Sequence, residues 1–164
     1  MGRKGLPDAW HVAMVKGGPC LEGPVTETTA WSDTYRLGIP GVDQEHRTFF
    51  ELIAAIEAGA AAGGVAPALE ALRSLRRYAE SHFANEEEFL EAVGFPELAP
   101  HRAEHEAFLR DVRALEQVED LPAEVAVRMA RAWIGQHILG TDRRYTRWLD
   151  EAEPEAPVRY PVTA

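Results

Sequence analysis

A single cysteine, Cys20, leaves no partner for an intramolecular disulfide, so the fold must be held by packing or by a ligand, and a reducing cytoplasm is the expected compartment. Positive charge is scarce as well. Lys and Arg number 17 against 27 Asp and Glu, a formal net charge of -10. That balance argues against nucleic acid and anionic membrane as partners, because both need clustered positive charge. No apolar run is long enough to span a bilayer, and Arg3 and Lys4 are not followed by a continuous apolar core, so neither a membrane span nor a signal peptide is expected. No stretch reads as a strand, and there is no internal repeat. Histidine is rare too, at 6 residues, and the placement of those six gives the first indication of chemistry.

What is present is the makings of one helical domain. With 164 residues, 46% of them apolar, the chain is long enough to bury a real core. Residues 1–30 are broken by Gly2, Gly5, Pro7, Gly17, Gly18, Pro19, Gly23 and Pro24, and are expected to form an irregular N-terminal extension. Residues 31–42, WSDTYRLGIPGV, read as an extended apolar entry ending in a Pro-Gly turn. Four helical stretches follow. The first, from about Asp43 to Ala62, carries Phe49, Leu52, Ile53 and Ile56 at three- and four-residue spacing, with Asp43 as N-cap and Gly63-Gly64 as its end. The second runs from about Pro67 to Val93, with proline in the first turn and Gly94 just past the end. The third runs from about Glu97 to Gln117, and the fourth from about Pro122 to Glu151. Connections this short make neighbours antiparallel. The expected fold is therefore all-α: an antiparallel up-down four-helix bundle over 31–151, with a mobile proline-rich tail at 152–164.

Five of the six histidines fall in these helices, and each follows the apolar stripe: His46 in the first, His82 in the second, His101 and His105 in the third, His137 in the fourth. His101 and His105 stand four apart and so share one face. Glu86 falls four after His82 on the same face. Asp142 falls five after His137, and at about 100° per residue those side chains diverge by about 140° in a regular α-helix. A π-type bulge near Gly140 brings Asp142 round, and one is expected there. One histidine on an apolar stripe is ordinarily a satisfied core residue. Five that converge with two carboxylates cost several kcal/mol per unsatisfied group unless something compensates them together, and a metal cluster does so. Seven donors are too many for one tetrahedral zinc and too rich in nitrogen for calcium or magnesium. Two first-row ions bridged by both carboxylates use all seven; iron suits the donor set well, manganese less well.

Four segments carry a resemblance beyond these spacings: WSDTYRLGIPGVDQEH, then HFANEE, then HRAEHEAF, then WIGQHILGTD. In this order and separation they resemble the hemerythrin family, in particular its single-domain bacterial members, over about residues 31–150. The resemblance implies an oxo- or hydroxo-bridged non-haem diiron centre. His101, His105 and His137 would bind one iron, His46 and His82 the other, and Glu86 and Asp142 would bridge both. Six donors then surround the first iron and five the second. One position stays open, at which the family carries O2 reversibly as a hydroperoxide on one iron. A dry pocket is needed over that position, and Phe49, Phe50, Phe83, Ile134 and Ile138 are its expected lining. Tyr145, eight after His137, either faces the cluster or packs.

The primary expectation is thus an O2-binding protein for carriage, storage or delivery, with O2 as its partner. A diiron enzyme (peroxidase, oxidase or nitric-oxide reductase) and a sensor of O2, redox state or iron are the alternatives on the same scaffold. Imidazole outnumbers carboxylate here, whereas ferritin-like oxidases are dominated by glutamates and E-x-x-H pairs, and this favours binding over catalysis. His11 and Cys20 stay outside the cluster, in an extension expected to serve as a lid or as a docking surface for a protein partner.

Overall fold

The computed structural model describes residues 30–63, 65–118, 121–152 and 160. Readings that concern residues 1–29, His11 and Cys20 among them, lie outside the described residues. Helix α1 spans Pro40–Gly63, α2 Val65–Val93, α3 Leu98–Leu115 and α4 Ala123–Gln136; a π-helical turn, His137–Asp142, joins α4 to α5, Arg143–Ala152. The described residues contain no strand, and none of their helices is long and apolar enough to cross a membrane. The chain is an all-α, antiparallel four-helix bundle, whose fourth rod is α4, the π turn and α5 taken together.

The expected start of the first helix moves. Pro40-Gly41 is not a turn before the first helix but its first turn, where the fixed φ of proline is already helical and its missing N–H costs nothing. Asp43 is then inside the helix rather than its N-cap. Its carboxylate accepts the backbone N–H groups of Leu37 at 2.7 Å and Gly38 at 3.1 Å, and so ties the entry segment to the helix start. Entry residues Asp33–Tyr35 form a 3-10 turn that delivers Tyr35 to the core.

At the close of α2, Gly94 takes φ +75°, a conformation that favours glycine, and two reverse hydrogen bonds cap the helix: Gly94 N–H to the Glu91 carbonyl at 3.0 Å and Phe95 N–H to the Leu90 carbonyl at 2.9 Å. At the α1–α2 hairpin a Cβ on Gly59 would sit 3.0 Å from the backbone of Pro67, so glycine lets the two helices close together.

The apolar interior has two parts. The larger contains Phe49, Phe83, Phe108 and Ile134; the smaller contains Val42, Phe89, Leu90, Phe95, Tyr145 and Tyr160. Along α1 the small cluster precedes the large one, along α2 it follows, and the order reverses again for α3 and the fourth rod, which is the signature of alternating helix direction. Between the two parts lies a polar layer. Of the expected mobile tail, Tyr160 is described, and it is fixed in the smaller cluster rather than free.

Candidate metal centre

All seven sequence-derived donors lie in that polar layer. His46, His82, Glu86, His101, His105, His137 and Asp142 are at most 2% exposed. Six of them form two groups that share Glu86: Glu86 with His101, His105 and His137, and Glu86 with His46 and His82, the potential ligand atoms of each group lying within 4.8 Å of one another. Glu86 Oε2 is 3.1 Å from His101 Nε2, 3.3 Å from His105 Nε2 and 4.0 Å from His82 Nε2. Asp142 spans both groups in the same way, with Oδ1 3.0 Å from His137 Nε2 and Oδ2 3.4 Å from His46 Nε2.

The π turn makes the second carboxylate possible. A regular α-helix would aim Asp142 away from His137, whereas the wide turn over His137–Asp142 puts both side chains on the bundle axis, as the five-residue spacing requires. Gly140 lies on the outside of this turn, where an added Cβ would meet nothing within 4 Å.

The donors are oriented from behind. His82 Nδ1 bonds to Glu45 Oε2 at 2.6 Å, His105 Nδ1 to Glu87 Oε1 at 2.9 Å, and His137 Nδ1 to Glu104 Oε2 at 3.2 Å. A carboxylate only accepts, so each Nδ1 carries a proton, and in the neutral imidazole each Nε2 lone pair faces the middle. The consequence is sharpest for His105 and His137, whose Nε2 atoms face each other at 3.0 Å. Two bare lone pairs at that distance repel, so a cation, whether a proton or a metal ion, has to lie between them. The same spacing suits neighbouring donors at right angles around one ion, with bonds of about 2.1 Å.

Other atoms of the layer point the same way. His46 Nδ1 and Nε2, His82 Nε2, His101 Nδ1 and both carboxylate oxygens of Asp142 are buried without a hydrogen-bond partner among the described residues, where each such group ordinarily costs about 1–3 kcal/mol. Among the described residues, the ion pairs of Glu86 and Asp142 are all with histidine. Two buried carboxylates with no Arg or Lys beside them call for a cation. Burial would raise Glu86, yet the imidazoles of His101 and His105 beside it hold it well below the usual carboxylate range. Burial depresses His46 to about 4, which keeps it neutral and able to donate a lone pair. Burial would depress His137 too, but Asp142, Glu104 and Glu86 draw positive charge to it and hold it at about 10; a metal cation answers the same negative potential. The residues present thus fit a metal pair.

The expected pocket residues divide. Phe83 stacks on His105 with centroids 3.8 Å apart, and Phe49 meets His82 edge-on at 5.1 Å. Ile134 and Ile138 are buried in the larger cluster. The ring of Phe50 packs instead against Tyr35 at 4.7 Å and Trp31 at 5.9 Å. Trp133 stacks on His137 at 4.3 Å.

Sequence reasoning missed Glu45, Glu87 and Glu104 as the groups behind the histidines. The available signal was their adjacency to His46, Glu86 and His105. It also left Tyr145 undecided; the hydroxyl donates to Glu86 Oε1 at 2.9 Å, so the residue faces the cluster.

A bundle whose four rods each supply buried histidine or carboxylate donors to one central layer is the architecture of a cation-binding helical protein. Residues 37–149 match the hemerythrin HHE cation binding domain. The chain is 34% identical over 130 residues to a bacteriohemerythrin of Ralstonia nicotianae, covering 77% of this chain and 92% of that protein. It is 28% identical over 124 residues to a bacteriohemerythrin of Clostridium acetobutylicum, 70% of this chain and 96% of that protein. A myohemerythrin of Theromyzon tessulatum is 29% identical over 121 residues, 74% of this chain and 93% of that protein. The chain belongs to the hemerythrin family.

Proposed function

We propose that this chain holds two iron ions and binds O2 reversibly, for carriage, storage or delivery. In this reading His101, His105 and His137 would hold one iron, His46 and His82 the other, and Glu86 and Asp142 would serve both. The pair supplies, when bound, the two electrons that O2 needs in order to bind and gives them back when it leaves. The observation that carries the reading is the pair of donor groups joined at Glu86, three histidines on one side and two on the other. The unequal count would leave room for O2 on the side of His46 and His82.

The rest of the work falls to the protein. Glu45, Glu87 and Glu104 keep three imidazoles in the tautomer that offers Nε2. Phe49 and Phe83 wall the layer on the side of the larger cluster and exclude water. Tyr145 holds one oxygen of Glu86. Five imidazoles against two bridging carboxylates favour a resting ferrous pair, and with it binding rather than turnover.

Metal analysis should return two irons per chain; one zinc per chain from iron-replete cells would overturn the assignment. Exposure of the anaerobic ferrous protein to O2, followed by its removal, should develop and then fully bleach a visible absorption. A stable ferric product with hydrogen peroxide released would make the protein an oxidase instead.

A further inference from the structure

We infer that Tyr160, from the C-terminal tail, is a positioning residue for the metal centre, acting through Glu45 on His82. The inference rests on the reading of His82 as an iron ligand. Tyr160 lies beyond residues 37–149, the span that matches the family domain.

Tyr160 is seated rather than laid on the surface. It is 8% exposed, and its ring meets Phe89 edge-on with centroids 5.5 Å apart. The start of α1 is shaped to admit it: a Cβ on Gly41 would stand 2.6 Å from Tyr160 Cδ1. From that recess the hydroxyl donates to Glu45 Oε2. The same oxygen accepts from His82 Nδ1 at 2.6 Å, while Glu45 Oε1 accepts from Asn85 Nδ2 at 3.1 Å.

One carboxylate oxygen therefore serves two donors, and what it gives to one it withholds from the other. The phenol takes part of the negative charge that would otherwise draw on the His82 N–H. Loss of the hydroxyl strengthens that pull and makes His82 a more basic ligand. A more basic ligand favours ferric over ferrous iron. Tyr160 thus holds the centre toward its ferrous state.

The test uses the full-length, iron-loaded protein and its Tyr160→Phe variant, which keeps the ring. Two readouts are taken: the midpoint potential of the iron pair, and the ring N–H proton resonances of the 15N-labelled histidines. Tyr160→Phe should favour the ferric state and lower the midpoint potential, each tenfold change in the ferric-to-ferrous ratio reading as a fall of about 59 mV for one electron. The His82 Nδ1–H resonance should shift while those of His105 and His137 hold still. Gly41→Ala, which puts a methyl group where the ring lies, should move the same His82 resonance by a separate route. A protein with two irons whose potential and His82 resonance ignore both substitutions overturns the inference alone, and so does a shift shared by every histidine. An unmodified protein that holds no pair of irons overturns the metal reading, and this inference with it.

Discussion

Removal of one oxygen atom tests the geometry of the centre. Tyr145 is fully buried, its hydroxyl donates to Glu86 Oε1 at 2.9 Å, and its ring meets Phe95 at 6.2 Å and His101 at 6.0 Å. Tyr145→Phe keeps the ring and both contacts and deletes the hydrogen bond. A hydrogen bond to a charged group is worth about 1.5–3 kcal/mol, and the Glu86 oxygen has no water to turn to. For a chain of this size each kcal/mol lowers the melting midpoint by about 2–4 °C, so the variant should melt about 3–12 °C lower. Tyr145→Ala should lose a further ~3–5 kcal/mol, since it opens a cavity in the smaller apolar cluster. Guanidinium unfolding of the iron-loaded proteins, with iron content measured beside it, gives both quantities. A loss below about 0.5 kcal/mol in Tyr145→Phe, the level of an ordinary surface change, would refute the claim that Tyr145 holds Glu86. A phenylalanine variant as damaged as the alanine one would show that the ring, not the hydroxyl, was being measured.

Gly140→Ala should stabilise the protein by about 0.4–1 kcal/mol, because a methyl group there meets no neighbour and alanine restricts the unfolded chain; a loss in urea unfolding would mean that the π turn needs glycine. In acid, the folded-state pKa values of Glu45, Glu86 and Glu87 lie below the ordinary 4.5, and that of Glu104 is at about 2. A depressed carboxylate contributes fully above its unfolded value and loses that contribution as pH falls toward its folded one. Unfolding free energy and bound iron should therefore decline from about pH 4.5 down to about 2, with these groups adding no slope between pH 6 and 8; a flat profile to pH 2 would exclude them.

The donors were legible in sequence because they break the pattern around them. His82 with Glu86, and His101 with His105, are polar residues at helical spacing on faces that otherwise carry Phe and Leu. Even the π turn was legible, since Asp142 at five residues from His137 fits no regular α-helix. Helix starts were less so. Asp43 has the chemistry of an N-cap, yet Pro40 also qualifies as a first residue, and the hydrogen bonds to Leu37 and Gly38 that decided between them are tertiary. Phe50 follows the same stripe as Phe49, but Trp31 and Tyr35, which draw its ring aside, arrive from a segment read only as an apolar entry. The proline-rich flanks of Tyr160 suggested a free tail, and the feature that seats it is an absence of atoms at Gly41.

The glutamates behind the histidines show best what sequence cannot supply. Glu45 on α1 serves His82 on α2, Glu87 on α2 serves His105 on α3, and Glu104 on α3 serves His137 at the start of the π turn. Each belongs to one helix and acts on the next, so its role appears only once the helices are packed. Each also adjoins a donor of its own helix: Glu45 precedes His46, Glu87 follows Glu86, and Glu104 precedes His105. A slide or turn of one helix therefore moves its own donor and releases the donor of its neighbour in the same step. The outer faces of two of these glutamates are held in turn, Glu87 by Arg102 at 3.1 Å and Glu104 by Thr141 at 2.7 Å and Arg144 at 3.3 Å. The donors and the helix packing thus form one cooperative unit. A helix that shifts alone gives up interactions at two places in the layer, whereas the ligands of an independent loop can rearrange one at a time. Such coupling keeps seven polar groups in a dry interior at fixed positions, the condition under which a small ligand can enter and leave with little protein rearrangement.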